Sequence, residues 1–237
     1  DPLYSHQAQA INAVRAGQHV ILCTGTASGK TLAYNIPVLE ALLDDRRSRA
    51  LYLFPTKALA QDQLRGLHEL AQEELKGSRF GIYDGDTPQA ARARLRREAG
   101  ILLTNPDMLH MGILPNHTLW ADFFANLRFV IIDEAHAYRG IFGSHVGCVL
   151  RRLWRVCARY GSAPQIIACS ATIANPGDHL RRLAGVEAVV VSGEADGAPH
   201  GAKDFVLWNP PFIDRTQTAR RSANIEAARL FAHLVQA

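Results

Sequence analysis

Two stretches carry residue types that could handle phosphate and a divalent cation: Thr24-Gly-Thr-Ala-Ser-Gly-Lys-Thr31 and Phe129-Val-Ile-Ile-Asp-Glu-Ala-His136. In the first, small residues let backbone N–H groups curl around phosphate oxygens. A following helix adds the positive end of its dipole, Lys30 reaches the β and γ phosphates, and the Thr31 hydroxyl can ligate Mg²⁺. The G-x-x-x-x-G-K-[ST] pattern fails only at its first position, where Thr24 replaces glycine. Thr24, Gly25, Thr26, Ala27, Ser28, Gly29, Lys30 and Thr31 are therefore the candidate cradle for a nucleoside triphosphate such as ATP. In the second stretch four apolar residues run into two carboxylates, which at the end of a buried strand lose hydration and repel one another. A cation or a proton resolves the conflict. If this strand lies beside the phosphate-loop strand, Asp133 and Thr31 hold Mg²⁺ through the nucleotide, and Glu134 is free to orient and deprotonate the attacking water. Lys30 and Glu134 are then the catalytic groups. Taken singly, each stretch has a plainer reading: a glycine turn with an exposed lysine, and acids suited to a helix N-terminus. Together they support the nucleotide site.

Both stretches need strands to hold them. Apolar, β-rich runs recur at His19 to Cys23, Ala50 to Phe54, Arg79 to Tyr83, Ile101 to Thr104, Phe129 to Ile132, Gln165 to Cys169, Ala188 to Val191 and Phe205 to Trp208. Helical stretches are expected at Ser5 to Ala16, Lys30 to Leu43, Thr56 to Leu75, Pro88 to Glu98, Ser144 to Tyr160 and Pro176 to Leu183. Alternation of this kind predicts an α/β fold with a largely parallel central sheet flanked by helices on both faces, its ligands at the carboxyl ends of the strands. After Trp208 the texture turns polar, with Asn209-Pro-Pro211 breaking the pattern. The division expected is one domain over 1–208, a linker over 209–223, and an amphipathic helix over 224–237 that opens another domain.

The chain has 237 residues, 48% of them hydrophobic, enough for one domain with some excess. No apolar run approaches the roughly 18 residues of a membrane span, and Asp1-Pro-Leu-Tyr4 has no basic region followed by an apolar one, so a secretory signal is not expected in it. Cys23, Cys148, Cys157 and Cys169 show no C-x-x-C spacing and read as buried thiols of a reducing compartment, which places the protein in the cytoplasm. A net charge of +4 permits an anionic partner without requiring one.

With these motifs assembled, the chain resembles the superfamily 2 helicases of the DEAD/DEAH-box kind, with Asp133-Glu-Ala-His136 as the box itself. Tyr4-Ser-His-Gln7 resembles the Q motif, Pro55-Thr-Lys-Ala-Leu-Ala60 motif Ia, and Gly85-Asp86-Thr87 motif Ib. Thr104-Asn-Pro-Asp107 resembles the strand-contacting turn that follows, and Ser170-Ala-Thr172 motif III. Tyr138-Arg-Gly-Ile-Phe-Gly-Ser-His145 and Lys203-Asp-Phe-Val-Leu-Trp-Asn-Pro-Pro211 are similar to segments of the MrfA-type bacterial DNA repair helicases. The resemblance implies a RecA-like P-loop domain, the first of two, that uses ATP and Mg²⁺ and moves 3′ to 5′ on DNA, single-stranded or duplex with a single-stranded tail. A second RecA-like domain of the same parent chain is the implied partner.

By the same resemblance Gln7 reads the adenine edge, and Thr56, Lys57, Gly85, Asp86, Thr104 and Asn105 grip a strand's phosphodiester backbone, with Asp86 more suited to capping the next helix. His136, Ser170 and Thr172 couple nucleotide state to the second domain. An RNA helicase carries nearly the same motifs, and a non-catalytic binding module is the reading from another class. Arg92, Arg94, Arg96 and Arg97, and Arg151, Arg152, Arg155 and Arg159, could extend a nucleic-acid track, but solvated helix faces look the same. His145 is read as structural.

Overall fold

The computed structural model describes residues 2–25, 27–71, 79–199, 201, 206–214, 216 and 218–236. Thr26 of the phosphate loop and the expected end of the third helix, at 72–75, lie outside them. The strands are β1 (Val20–Cys23), β2 (Arg49–Leu53), β3 (Arg79–Ile82), β4 (Ala99–Thr104), β5 (Leu127–Ile132), β6 (Gln165–Ser170) and β7 (Val189–Ser192). They form one seven-stranded sheet in the order β3-β4-β2-β5-β6-β1-β7, and all its pairings are parallel.

Side chains along a strand point alternately to opposite faces, and here both faces are covered. Val20 and Leu22 of β1, Ala50 and Tyr52 of β2 and Ile131 of β5 pack with residues of α1 (Ser5–Arg15), α2 (Lys30–Asp44) and α3 (Lys57–Leu70). Their neighbours Ile21, Leu51, Leu53, Val130 and Ile132 pack on the other face against Leu150 and Leu153 of α7 (Gly140–Arg159) and Leu180 of α8 (Pro176–Ala184). Also on that side are Trp120 and, from α6 (Ala121–Ala125), Phe123 and Phe124. Double coverage explains why the strands read as continuous apolar runs.

Between β3 and β4 runs α4 (Gln89–Glu98). Past β4, α5 (Pro106–Met108) and a series of short helical turns fill the gap to β5, where the sequence pattern shows no regular element. Mixed hydrogen bonding and a kink at Asn116 interrupt the helical period there, which hides these turns from sequence reading. α7 begins at Gly140, four residues before the Ser144 expected, because Ile141 and Phe142 face solvent and break the apolar stripe.

By internal contacts the chain divides into two units, Asp1–Ala198 and Pro199–Ala237. In the second, Val206, Leu207 and Trp208 form no strand and are exposed, and Phe205 of the expected strand lies outside the described residues. An isolated antiparallel bridge joins Phe212 and Arg220, and the Arg220 guanidinium lies 3.7 Å from the Phe212 ring centroid. α9 (Ala223–Gln236) follows, its buried Glu226 accepting from Trp208 Nε1 and pairing with Arg221. Cys23, Cys157 and Cys169 are buried as expected, but Cys148 is exposed, because its position on α7 turns away from the sheet.

Candidate nucleotide site and nucleic-acid face

β1 is wholly buried and empties into the phosphate loop, which the chain holds closed from inside. The Thr24 hydroxyl, fully buried, lies 2.6 Å from Ser28 Oγ, and Ser28 Oγ donates to the Gly25 carbonyl. The residue that departs from the glycine pattern thus ties the loop's two ends. Gly29 caps α2 with φ of +75°, and a Cβ there would sit 2.7 Å from Gln7 Nε2, so only glycine fits. Ala27 adopts φ of +60° without that freedom, a strained position of the kind found at ligand sites. Lys30 Nζ donates to the carbonyls of Gly25 at 2.6 Å and Thr24 at 3.2 Å, which keeps the ammonium inside the cradle.

The strand carrying Asp133 is not beside β1 as the sequence reading supposes. β6 lies between them. Strand order is invisible to local pattern, and the consequence is chemical: the inserted strand ends in Ser170, so motif III sits between the phosphate loop and the carboxylates. Asp133 Oδ2 accepts from Tyr34 Oη at 3.3 Å and Oδ1 from the Glu134 N–H at 2.9 Å. Burial, more than any other influence, pushes the Asp133 carboxyl up to about 6. A half-buried carboxylate in this condition suits a cation. Thr31 stands in the first turn of α2, the helix that carries Tyr34, and its hydroxyl and the Asp133 carboxylate are hard oxygen donors of the kind that fit Mg²⁺.

Glu134 takes a left-handed conformation, φ of 49° and ψ of 43°, that turns its carboxylate off the strand axis. Its Oε2 lies 3.2 Å from His136 Nδ1, and the same nitrogen accepts from the Ala171 N–H at 3.2 Å. His136 therefore joins the carboxylate turn to motif III, whose Ser170 is fully buried and whose Thr172 is exposed.

The nucleic-acid candidates follow β2, β3 and β4, on the other half of the same sheet edge. Thr56 caps α3, accepting weakly from the Leu59 N–H. Lys57 Nζ lies 2.6 Å from Asp86 Oδ2, both exposed, and Gly85 is open beside them. Asp86 is thus an ion-pair partner and not a helix cap; Asp84, which accepts from the Asp86 N–H, organises that turn. Asn105 Oδ1 accepts from the Met108 N–H and caps α5. Thr104 is buried and donates its hydroxyl to the Tyr83 carbonyl at 2.6 Å, so the side chain joins β3 to β4 and does not face a strand.

Gln7 also sits differently from the expectation. It is buried, its Nε2 donating to the Gly29 carbonyl and its Oε1 accepting from the Tyr4 N–H, so the amide braces the phosphate loop from behind. Sequence reasoning missed its neighbours in that brace. His6, fully buried, reaches the Ser28 carbonyl with Nε2 at 2.9 Å and Asp196 Oδ1 with Nδ1 at 3.3 Å, while Asp196 Oδ2 accepts from the Gly25 N–H at 3.2 Å. His6 adjoins a residue the motif does flag. Asp196, far along the chain, gives no local signal. Tyr34 could have been found, because it stands one helical turn beyond Thr31.

A seven-stranded parallel sheet with a phosphate loop after β1 and paired carboxylates after β5 defines a RecA-like P-loop domain. Residues 4–179 match the DEAD/DEAH box helicase family, and the chain belongs to that family. It is 50% identical over 230 residues to the uncharacterized ATP-dependent helicase YprA of Bacillus subtilis (strain 168), covering 97% of this chain and 30% of YprA. Against the ATP-dependent helicase HRQ1 of Saccharomyces cerevisiae it is 44% identical, covering 98% of this chain and 22% of HRQ1. Among solved structures it is similar to the DUF1998 helicase MrfA bound to DNA and AMPPNP, at 48% identity and a TM-score of 0.88, over 99% of this chain and 32% of that one. The chain thus spans under a third of the length of these relatives.

Proposed function

We propose that residues 1–208 are the first motor domain of an ATP-dependent DNA helicase, joined by 209–223 to the helix that opens the second. The observation that carries this reading is the division of one sheet edge: Lys30, Thr31, Asp133, Glu134 and His136 collect at the ends of β1 and β5, and Thr56, Lys57, Gly85 and Asn105 at the ends of β2, β3 and β4. In such a motor Lys30 and the loop N–H groups bind the β and γ phosphates. Thr31 and Asp133 hold Mg²⁺, which when bound neutralises phosphate charge. Glu134 orients the attacking water and takes its proton. His136, through Ala171 and Ser170, carries the state of the carboxylate turn to the partner domain. Lys57 and the turn N–H groups hold one strand by its phosphates without reading sequence.

The DNA-bound structure of the similar helicase MrfA supports DNA over RNA. Translocation 3′ to 5′ and a role in DNA repair follow from the resemblance, and a cytoplasmic setting from the cysteine usage. The test is the parent protein's ATPase, measured with single-stranded DNA, tailed duplex DNA and RNA as activators. DNA stimulation that is lost in Glu134→Gln supports the reading; stimulation by RNA alone assigns an RNA helicase, and none by either assigns a binding module.

A further inference from the structure

The segment 138–145 is not used by the nucleotide site, yet it is unlike an ordinary helix start. α7 begins with Arg139 as its N-cap, with no side-chain cap and no acidic residue in the first turn. A helix N-terminus favours anions, so a cation there, with no compensating acid, is a local mismatch. Arg139 shares a groove of about 530 Å³ with Arg151 of α7 and Arg182 of α8. All three are exposed. Among the described residues no carboxylate lies within ion-pair distance of them; the nearby acids Asp178 and Glu187 pair with Arg181 instead. In the first turn of α7, Ile141 and Phe142 stand exposed, the Phe142 ring packing at its side against Tyr138. Arg151 donates to Cys148 Sγ at 3.5 Å, but none of the three has a carboxylate partner among the described residues, and arginines of this kind near an exposed aromatic ring are what a nucleic-acid strand needs, charge for phosphate and a face for a base.

Position agrees with composition. Cys148 lines this groove and also a second one of about 290 Å³, which runs past Phe142 and Arg152 to Pro106 and Asp107, the turn next to Asn105. The surface is thus continuous with the strand-binding turns. His179, in the first groove, contacts the Ala135 carbonyl at 2.8 Å, which ties the groove to the carboxylate turn.

We propose that this face of α7 and α8 is a second nucleic-acid contact, in which Arg139, Arg151 and Arg182 take backbone phosphates and Phe142 stacks on a base. The proposal rests on the nucleic-acid reading above. Its test is a titration of this chain with a fluorescein-labelled single-stranded deoxyoligonucleotide across a salt series, for wild type, Lys57→Ala and the combined Arg139→Ala, Arg151→Ala and Arg182→Ala variant.

Removing three phosphate contacts should lower affinity by at least about 10-fold and reduce the slope of log K against log salt by about 2, at roughly 0.7 per contact. The corresponding triple lysine variant should keep most of that slope. Photo-cross-linking of wild type to an iodouracil-substituted strand should label Phe142, independently of how any variant folds. If Lys57→Ala weakens binding but the arginine variant matches wild type, the second contact is wrong and the strand-binding reading stands. If wild type binds no DNA, both fall. An arginine variant that binds DNA normally but loses stability only within the parent protein would assign the face to another domain and overturn the proposal.

Discussion

Lys30 spends its ammonium on two loop carbonyls, and no other side chain in the cradle carries positive charge. Lys30→Ala should therefore weaken Mg-ATP binding by about 10- to 100-fold, the worth of charge-assisted hydrogen bonds; isothermal titration would read it, and unchanged affinity would exclude the phosphate-loop assignment. Glu134→Gln should keep affinity and lower turnover in the parent protein by about 10²- to 10⁴-fold. Asp133 makes a different demand. Burial raises its carboxyl to about 6, so the fold carries an unfavourable charge at neutral pH. Asp133→Asn should stabilise the nucleotide-free chain by about 1 to 3 kcal/mol in urea denaturation, while removing the additional stability conferred by Mg-ATP. A variant less stable than wild type would mean that the carboxylate is already compensated.

At the scale of elements, close approach fixes where the carboxylate turn meets α7. A Cβ on Gly143 would lie 2.4 Å from the Tyr138 carbonyl oxygen, a backbone atom that cannot step aside. Gly143→Ala should cost about 1 to 3 kcal/mol and, by moving the start of α7 away from Tyr138, reduce nucleotide-dependent stabilisation as well. The start of β1 holds a pH-sensitive joint. His19 Nδ1 accepts from the Ile166 N–H at 2.9 Å, and burial lowers the imidazole below 6.5. The neutral ring is the native one, so its contribution is complete above pH 6.5. As pH falls below that value the unfolded chain takes the proton first, and stability declines until the folded ring also titrates. Denaturation midpoints between pH 5 and 7 should slope less in His19→Asn than in wild type. Parallel slopes would exclude His19 as the source.

For the molecule as a whole, P-loop motors complete their site with groups from a second domain, and an arginine supplied in this way is worth roughly 10³- to 10⁵-fold in rate, about 4 to 7 kcal/mol of barrier. This 237-residue chain spans 30% of YprA. It should bind Mg-ATP, turn it over marginally, unwind no DNA, and gain activity when the following domain is restored in the same chain. Helicase-like ATPase rates from the chain alone, measured by phosphate release with and without DNA, would remove the need for that domain.

The sequence by itself determined the parallel α/β class, the strands of the sheet to within a few residues, and the identity of the phosphate loop and the carboxylate pair. These are local properties: apolar runs report burial, and Gly29-Lys30-Thr31 or Asp133-Glu134 states its chemistry in adjacent letters. Strand order was decided only by the tertiary structure, because each crossover helix can return the chain to either side of the sheet. Hence Ser170 lies between Cys23 and Asp133 along the sheet edge, a relation between residues far apart in sequence. Side-chain direction was decided there too. Thr104 and Gln7 carry the motif letters of ligand contacts, yet packing turned one toward Tyr83 and the other toward Gly29. His6 and Asp196, which meet only because the sheet brings α1 and the end of β7 together, brace the phosphate loop with no motif to mark them.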